Sequence, residues 1–138
     1  MDKKQRGFKI LLVDDEDIFR EATARQLTVR GFVVQTAASG AAALEIVRID
    51  PPEVVVLDQE MPGLHGSETF IEIKKINALI EVIMLTGNTS VDNAIELMQK
   101  GTFDYLMKPI DIEELLYKIE DAYTRKKLNE KQQRELGR

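Results

Sequence analysis

Short β-rich runs alternate along the chain with longer stretches in which apolar positions return every three to four residues. The runs are Lys9–Val13, Val33–Ala37, Val54–Leu57, Val82–Leu85 and Tyr105–Met107. Between them, Phe19, Ala22, Thr23 and Leu27 make one helical stripe. Ala41, Leu44 and Val47 make a second, and Val91, Ala94, Ile95 and Met98 a third. Punctuation agrees with this rhythm. Arg30-Gly31 ends the first helix, Asp50-Pro51-Pro52 precedes the third strand, and Lys100-Gly101 ends the fourth helix. Ser39 and Ser90 stand where N-caps belong. A last helix is expected from near Asp111, with an apolar face through Ile112, Leu115, Leu116, Ile119 and Tyr123.

Strands that alternate with helices build a parallel sheet covered on both faces. The first and third runs are almost uniformly apolar, as strands buried on both faces must be. In a doubly wound sheet the ligand site lies at the C-terminal strand ends, near the switch point between strands one and three. The chain divides into a tail over 1–7, a globular domain over 8–123 and a charged helical segment over 124–138. That last segment keeps only Leu128 and Leu136 as large apolar residues. It reads as a solvated tail, or as a linker helix that leads to an effector or pairs with a second copy.

Composition narrows the chemistry. The 138 residues suffice for one domain with a core. A net charge of −5 argues against nucleic-acid binding through a broad basic face. Without cysteine, and with a single histidine, disulfides, thiolate sites and multi-histidine zinc sites are excluded. No apolar stretch approaches the ~20 residues that span a bilayer. The basic start Met1-Asp2-Lys3-Lys4-Gln5-Arg6 has no long apolar core behind it, so a secretory signal is not expected and a cytoplasmic protein is.

Three carboxylates then stand out. Asp14 and Asp15 follow the first apolar run, and Asp58 follows the third. Adjacent strands lie about 4.8 Å apart, so all three can share one small pocket. Like charges that close repel, and the cluster requires a cation or a proton. A divalent metal beside a lone carboxylate points to phosphoryl chemistry.

Four motifs fall at predicted strand ends in order: Asp14-Asp15-Glu16; Leu57-Asp58-Gln59-Glu60-Met61-Pro62-Gly63; Leu85-Thr86-Gly87; and Tyr105-Leu106-Met107-Lys108-Pro109. Together they resemble the receiver domain of bacterial two-component response regulators, over about residues 8–123. The resemblance implies a flavodoxin-like, doubly wound sheet of five parallel strands, order 2-1-3-4-5, with helices on both faces. It implies a signalling switch rather than a turnover enzyme. Asp58 would accept a phosphoryl group from the phosphohistidine of a sensor histidine kinase. A carboxylate is a weak nucleophile, but with a reference pKa of ~3.9 it is already ionised at pH 7.

Asp14 and Asp15 would hold Mg²⁺ together with Asp58, and by analogy the backbone carbonyl of Glu60. Mg²⁺ favours octahedral oxygen coordination with several waters retained. Lys108 would pair with Asp58 and then with a phosphate oxygen, aimed inward by a cis bond to Pro109. Thr86 would donate its hydroxyl to the phosphoryl group, with Tyr105 as its partner in the switch. Glu60 and Asn88, two residues past Asp58 and Thr86, would flank the path of an attacking water and set the lifetime of the acyl phosphate. His65 replaces an Asp of many relatives and is given no catalytic part. Glu16 is expected as a solvated acid at a helix start. Expected partners are the kinase, which would dock near helix one and the Pro109-Ile110 loop with Ile18 and Ile110 as apolar contacts, and an effector domain or protein. A homodimer through helix four, strand five and helix five is also implied, with no membrane contact.

Other readings of the same carboxylates fit less well. Haloacid-dehalogenase-type phosphatases also carry an acid two residues past the nucleophile, but that nucleophile ends their first strand. A flavodoxin needs a loop after strand one that cradles phosphate, and Asp14-Asp15-Glu16-Asp17 would repel it. A receiver that no longer takes phosphate would not need the complete acidic cluster and Lys108.

Overall fold

The computed structural model describes residues 7–87 and 91–137. Five strands alternate with five helices: β1 Lys9–Val13, α1 Asp17–Val29, β2 Val33–Ala37, α2 Gly40–Ile49, β3 Val54–Asp58, α3 Gly66–Ile76, β4 Glu81–Thr86, α4 Val91–Gln99, β5 Asp104–Met107 and α5 Ile112–Leu136. The sheet is parallel throughout, in the order β2-β1-β3-β4-β5. This is the doubly wound architecture expected from the alternation, in the flavodoxin-like order that the resemblance implies.

Period-two alternation splits the strand residues between two cores. Leu11, Val13, Val55, Leu57, Val82 and Met84 face the core shared with Ala43, Leu44, Val47, Phe70, Ile73 and Leu97 of α2, α3 and α4. Ile10, Leu12, Val54, Val56, Ile83 and Leu85 face the other, with Leu27 of α1 and Leu115, Ile119 and Ala122 of α5. Every residue of β3 and β4 is buried, which is why those strands read as continuous apolar runs.

Helix ends follow local chemistry. Ser39 Oγ accepts from the Ala42 N–H at 3.1 Å at the start of α2, and Asp111 Oδ1 accepts from the Glu113 N–H at 3.0 Å at the start of α5. Gly31 and Gly101 take positive φ just past α1 and α4. Ser90 lies outside the described residues.

The helical stripes depart from expectation in places. In α2 the inward residues are Gly40, Ala43, Leu44 and Val47, and Ala41 is exposed. Ala22 of α1 is exposed as well. In α4, Leu97 is buried, whereas Ile95 and Met98 stand open to solvent. β4 begins one residue earlier than expected, at Glu81, and that glutamate is only 2% exposed.

Candidate functional site

Register brings the strand ends to one level. Val13 pairs with Leu57, Asp58 with Leu85, and Thr86 with Met107. The next residue of β1 is Asp14 and the next of β5 is Lys108, so Asp14, Asp58, Thr86 and Lys108 meet at the C-terminal edge beside the β1/β3 switch point. Gln59 N–H donates to Leu85 O at 2.8 Å and Lys108 N–H to Thr86 O at 2.9 Å, which carries strand pairing past the strand ends. The Lys108–Pro109 peptide bond is cis.

Asp14, Asp15 and Asp58 each bring a carboxylate oxygen within 4.8 Å of the others. Asp14 and Asp58 are buried and Asp15 is exposed. Asp14 Oδ1 accepts from the Glu16 N–H at 2.9 Å, and Asp58 Oδ1 accepts from the Glu60 N–H at 3.2 Å. Asp14 Oδ2 is buried without a hydrogen bond. The Lys108 ammonium lies 2.7 Å from it as an ion pair, 3.0 Å from Glu16 Oε1 and 3.6 Å from Asp58 Oδ2. An all-oxygen set of three carboxylates, two of them buried and one open to solvent, fits a hard divalent cation that retains waters on its open side.

Electrostatics follow from burial. Desolvation pushes the Asp58 carboxyl up from 3.8 to about 6. The Glu60 N–H opposes this, Asp14 adds to it, Lys108 opposes it and Asp15 adds to it. For Lys108, burial works to lower the pKa. Close pairing with Asp14 and Glu16 and the charges of Asp14 and Asp58 outweigh it, and the ammonium is held above its ordinary value. Lys108 is therefore a fixed cation among acids.

Thr86 is buried at the end of β4. Tyr105 is half-buried against the core of α2, α3 and α4. Glu60 is exposed and does not join the carboxylate cluster. Its Oε1 accepts instead from the Gly87 N–H at 3.2 Å. Asn88 lies outside the described residues. His65 caps α3, where its N–H donates to Glu68 Oε1 at 3.1 Å.

Several contributors escape a reading of strand ends alone. Glu16 is an ion-pair partner of Lys108 as well as an exposed acid. The Phe19 ring lies under the same ammonium, 4.4 Å from its centroid. Arg20 donates to the Asp14 backbone carbonyl at 2.7 Å and steadies the β1 exit. A Cβ at Gly66 would sit 2.5 Å from Asp58 O, so only glycine lets α3 start against the end of β3. The available signals were an arginine one turn into the helix that follows Asp14, for Arg20, and an isolated glycine for Gly66.

Comparison with known proteins adds independent findings. The family described as "Response regulator receiver domain" matches residues 10–120. The chain is 35% identical over 122 residues to the response regulator MprA of Mycobacterium ulcerans (strain Agy99), covering 88% of this chain and 53% of MprA. It is 36% identical over 118 residues to the DNA-binding transcriptional regulator NtrC of Escherichia coli (strain K12), covering 86% of this chain and 25% of NtrC. The chain thus spans about half of one relative and a quarter of the other. Among solved structures, a response regulator receiver domain protein from Clostridium thermocellum matches with a TM-score of 0.82 and 40% identity, covering 88% of this chain and 98% of that one.

Proposed function

The chain belongs to the receiver-domain family of response regulators, and on that premise we propose that it is a phosphorylation switch that accepts its phosphoryl group on Asp58 from the phosphohistidine of a sensor histidine kinase. The observation that carries this reading is the convergence of Asp14, Asp15, Asp58 and Lys108 at one sheet edge, with Asp58 buried and its carboxylate 3.6 Å from the ammonium.

Asp14, Asp15 and Asp58 would hold Mg²⁺, with the Glu60 carbonyl as a further oxygen. When bound, the ion supplies neutralisation of charge on the transferring phosphoryl group. The chain's own groups do the rest. An Asp58 oxygen attacks phosphorus and forms a P–O bond as the P–N bond of the donor breaks. The bonding pair returns to the imidazole nitrogen. Lys108 remains protonated and offers its charge to an equatorial phosphoryl oxygen. The Thr86 hydroxyl donates to another and draws the β4 end toward the acceptor, and Tyr105 follows that movement. Asn88 and Glu60 are the residues expected to set how fast water later attacks phosphorus and restores Asp58. The chain thereby catalyses its own phosphorylation and dephosphorylation once per cycle, without turnover of a small substrate.

A groove between α1 and the β5–α5 loop supports donor docking. It is about 590 Å³, bordered by Phe19, Ala22, Thr23, Lys108, Pro109 and Ile110. Ile18 of α1 is exposed. No helix among the described residues is long and apolar enough to cross a membrane. On the family reading, we place the protein in the cytoplasm with its kinase and an effector. Asp58→Asn is expected to abolish labelling by acetyl phosphate or phosphorylated kinase, with one phosphate per chain in the wild type. Labelling of the variant at the wild-type level would move the acceptor elsewhere.

A further inference from the structure

The side chain of Glu60 does not join the carboxylate cluster and instead meets the backbone just past β4. Its backbone N–H donates to Asp58 Oδ1 at 3.2 Å, while its Oε1 accepts from the Gly87 N–H at 3.2 Å. One residue therefore ties the phosphoryl acceptor to the amide that directly follows Thr86. A Cβ on Gly87 would stand 3.0 Å from that same Oε1, closer than ordinary contact, so glycine lets the carboxylate close over the amide.

We propose that Glu60 and Gly87 form an autoinhibitory latch that holds the end of β4 in its resting position and is released when an anion arrives on Asp58. This rests on the reading of Asp58 as phosphoacceptor. The physical basis is simple. A bond from an N–H to a carboxylate is charge-assisted and stronger than a neutral one. A phosphoryl group brings about two negative charges to a site already crowded with acids. Its arrival repels the Glu60 carboxylate, and the freed Gly87 N–H becomes available to the new anion. Thr86 and Gly87 are consecutive, so release of the amide and capture of the hydroxyl are one movement. Glu60 is a positioning residue, acting through Gly87 rather than on phosphorus.

The test is a beryllofluoride titration at saturating Mg²⁺, with the Gly87 amide followed by NMR in the full chain. In the resting wild type that amide is expected to exchange slowly with solvent, and its proton resonance to move on saturation with beryllofluoride. Glu60→Ala removes both latch and charge and should speed exchange and tighten beryllofluoride binding about three- to ten-fold. Gly87→Ala preserves every charge and crowds the carboxylate, so it should tighten binding by a smaller factor. Glu60→Gln keeps an acceptor oxygen and should retain part of the amide protection that Glu60→Ala loses. An effect of charge alone would leave Gly87→Ala at the wild-type affinity and make the two Glu60 variants equal; that outcome overturns the latch. So does an unchanged Gly87 amide in Glu60→Ala. A wild type that binds no beryllofluoride overturns the phosphoacceptor reading and the latch's release with it, whereas wild-type binding with a failed latch leaves the phosphoacceptor reading intact.

Discussion

Asp58 carries the sharpest consequence at the scale of one residue. Burial raises its pKa from 3.8 to about 6, so its ionised form is the costly one in the folded chain. The sign follows directly. Stability from this group is fully present below pH 3.8, where both states are protonated. It declines as pH rises toward about 6, because the unfolded chain ionises first and the folded one resists. Asn at this position never ionises. In the absence of divalent cations, Asp58→Asn should therefore be more stable than the wild type above pH 6 by about 3 kcal/mol, with the gap closing as pH falls toward 4. Paired thermal melts across that range check this, and equal melting temperatures at pH 7.5 would reject it. Millimolar Mg²⁺ should shrink the gap, since a cation bound only by the folded wild type favours that state. The three aspartates were legible because each ends an apolar run. Glu16 and Phe19 were not, because their roles depend on where the Lys108 ammonium comes to rest, just past β5 and 92 residues away in sequence from Glu16.

Among the elements, α5 behaves least like its sequence. Charged residues past Tyr123 read as solvated, yet the helix runs unbroken to Leu136 and its next turns are tied to the sheet. Arg125 makes a two-pronged pair with buried Glu81 at 2.7 and 2.8 Å and lies over the Phe103 ring. Lys126 is 5% exposed and pairs with Glu53 at 3.5 Å and with Glu130. Arg125→Ala leaves Glu81 buried with Lys74 at 4.0 Å as its remaining cation among the described residues. Stranding a buried charge is far costlier than losing a surface pair, and we expect a loss of about 2 kcal/mol in urea unfolding. A chain ended at Tyr123 should lose stability in the same direction; an unchanged urea midpoint in both variants would mean that these pairs are only decoration. The strands needed no such partners to be read, because burial on both faces leaves continuous apolar runs. The register of α2 was lost for the opposite reason: Gly40, Ala41, Ala42 and Ala43 carry too little contrast to show which side faces inward. Glu81 shows a third limit, since a glutamate at a strand head is buried only by virtue of an arginine 44 residues on.

For the whole molecule, apolar surface remains that the fold does not use. Ile95 and Met98 of α4, Met107 of β5 and Tyr117 of α5 are 43–74% exposed, on three elements at the β5 edge of the sheet. Ile95 and Met98 were legible as apolar positions of α4 but not as outward-facing ones, because the sequence does not distinguish a residue that meets this chain's core from one that meets another surface. The face adjoins the Thr86–Lys108 end of the sheet, where resting and phosphorylated states would differ in contacts. A ligand shifts a conformational equilibrium only by its differential affinity for the two states. Beryllofluoride with Mg²⁺ should favour the state in which this face is organised for a second copy, and a standard interface of about 800 Å² per partner is within reach of three elements. Sedimentation should show mostly monomer alone and a shift toward dimer with the mimic. Tyr117→Lys should remove the shift while leaving Asp58 labelling intact, which separates loss of the surface from loss of the switch. Identical sedimentation with and without the mimic, in a chain whose Asp58 is labelled normally, would assign these side chains to an effector surface rather than to a second copy.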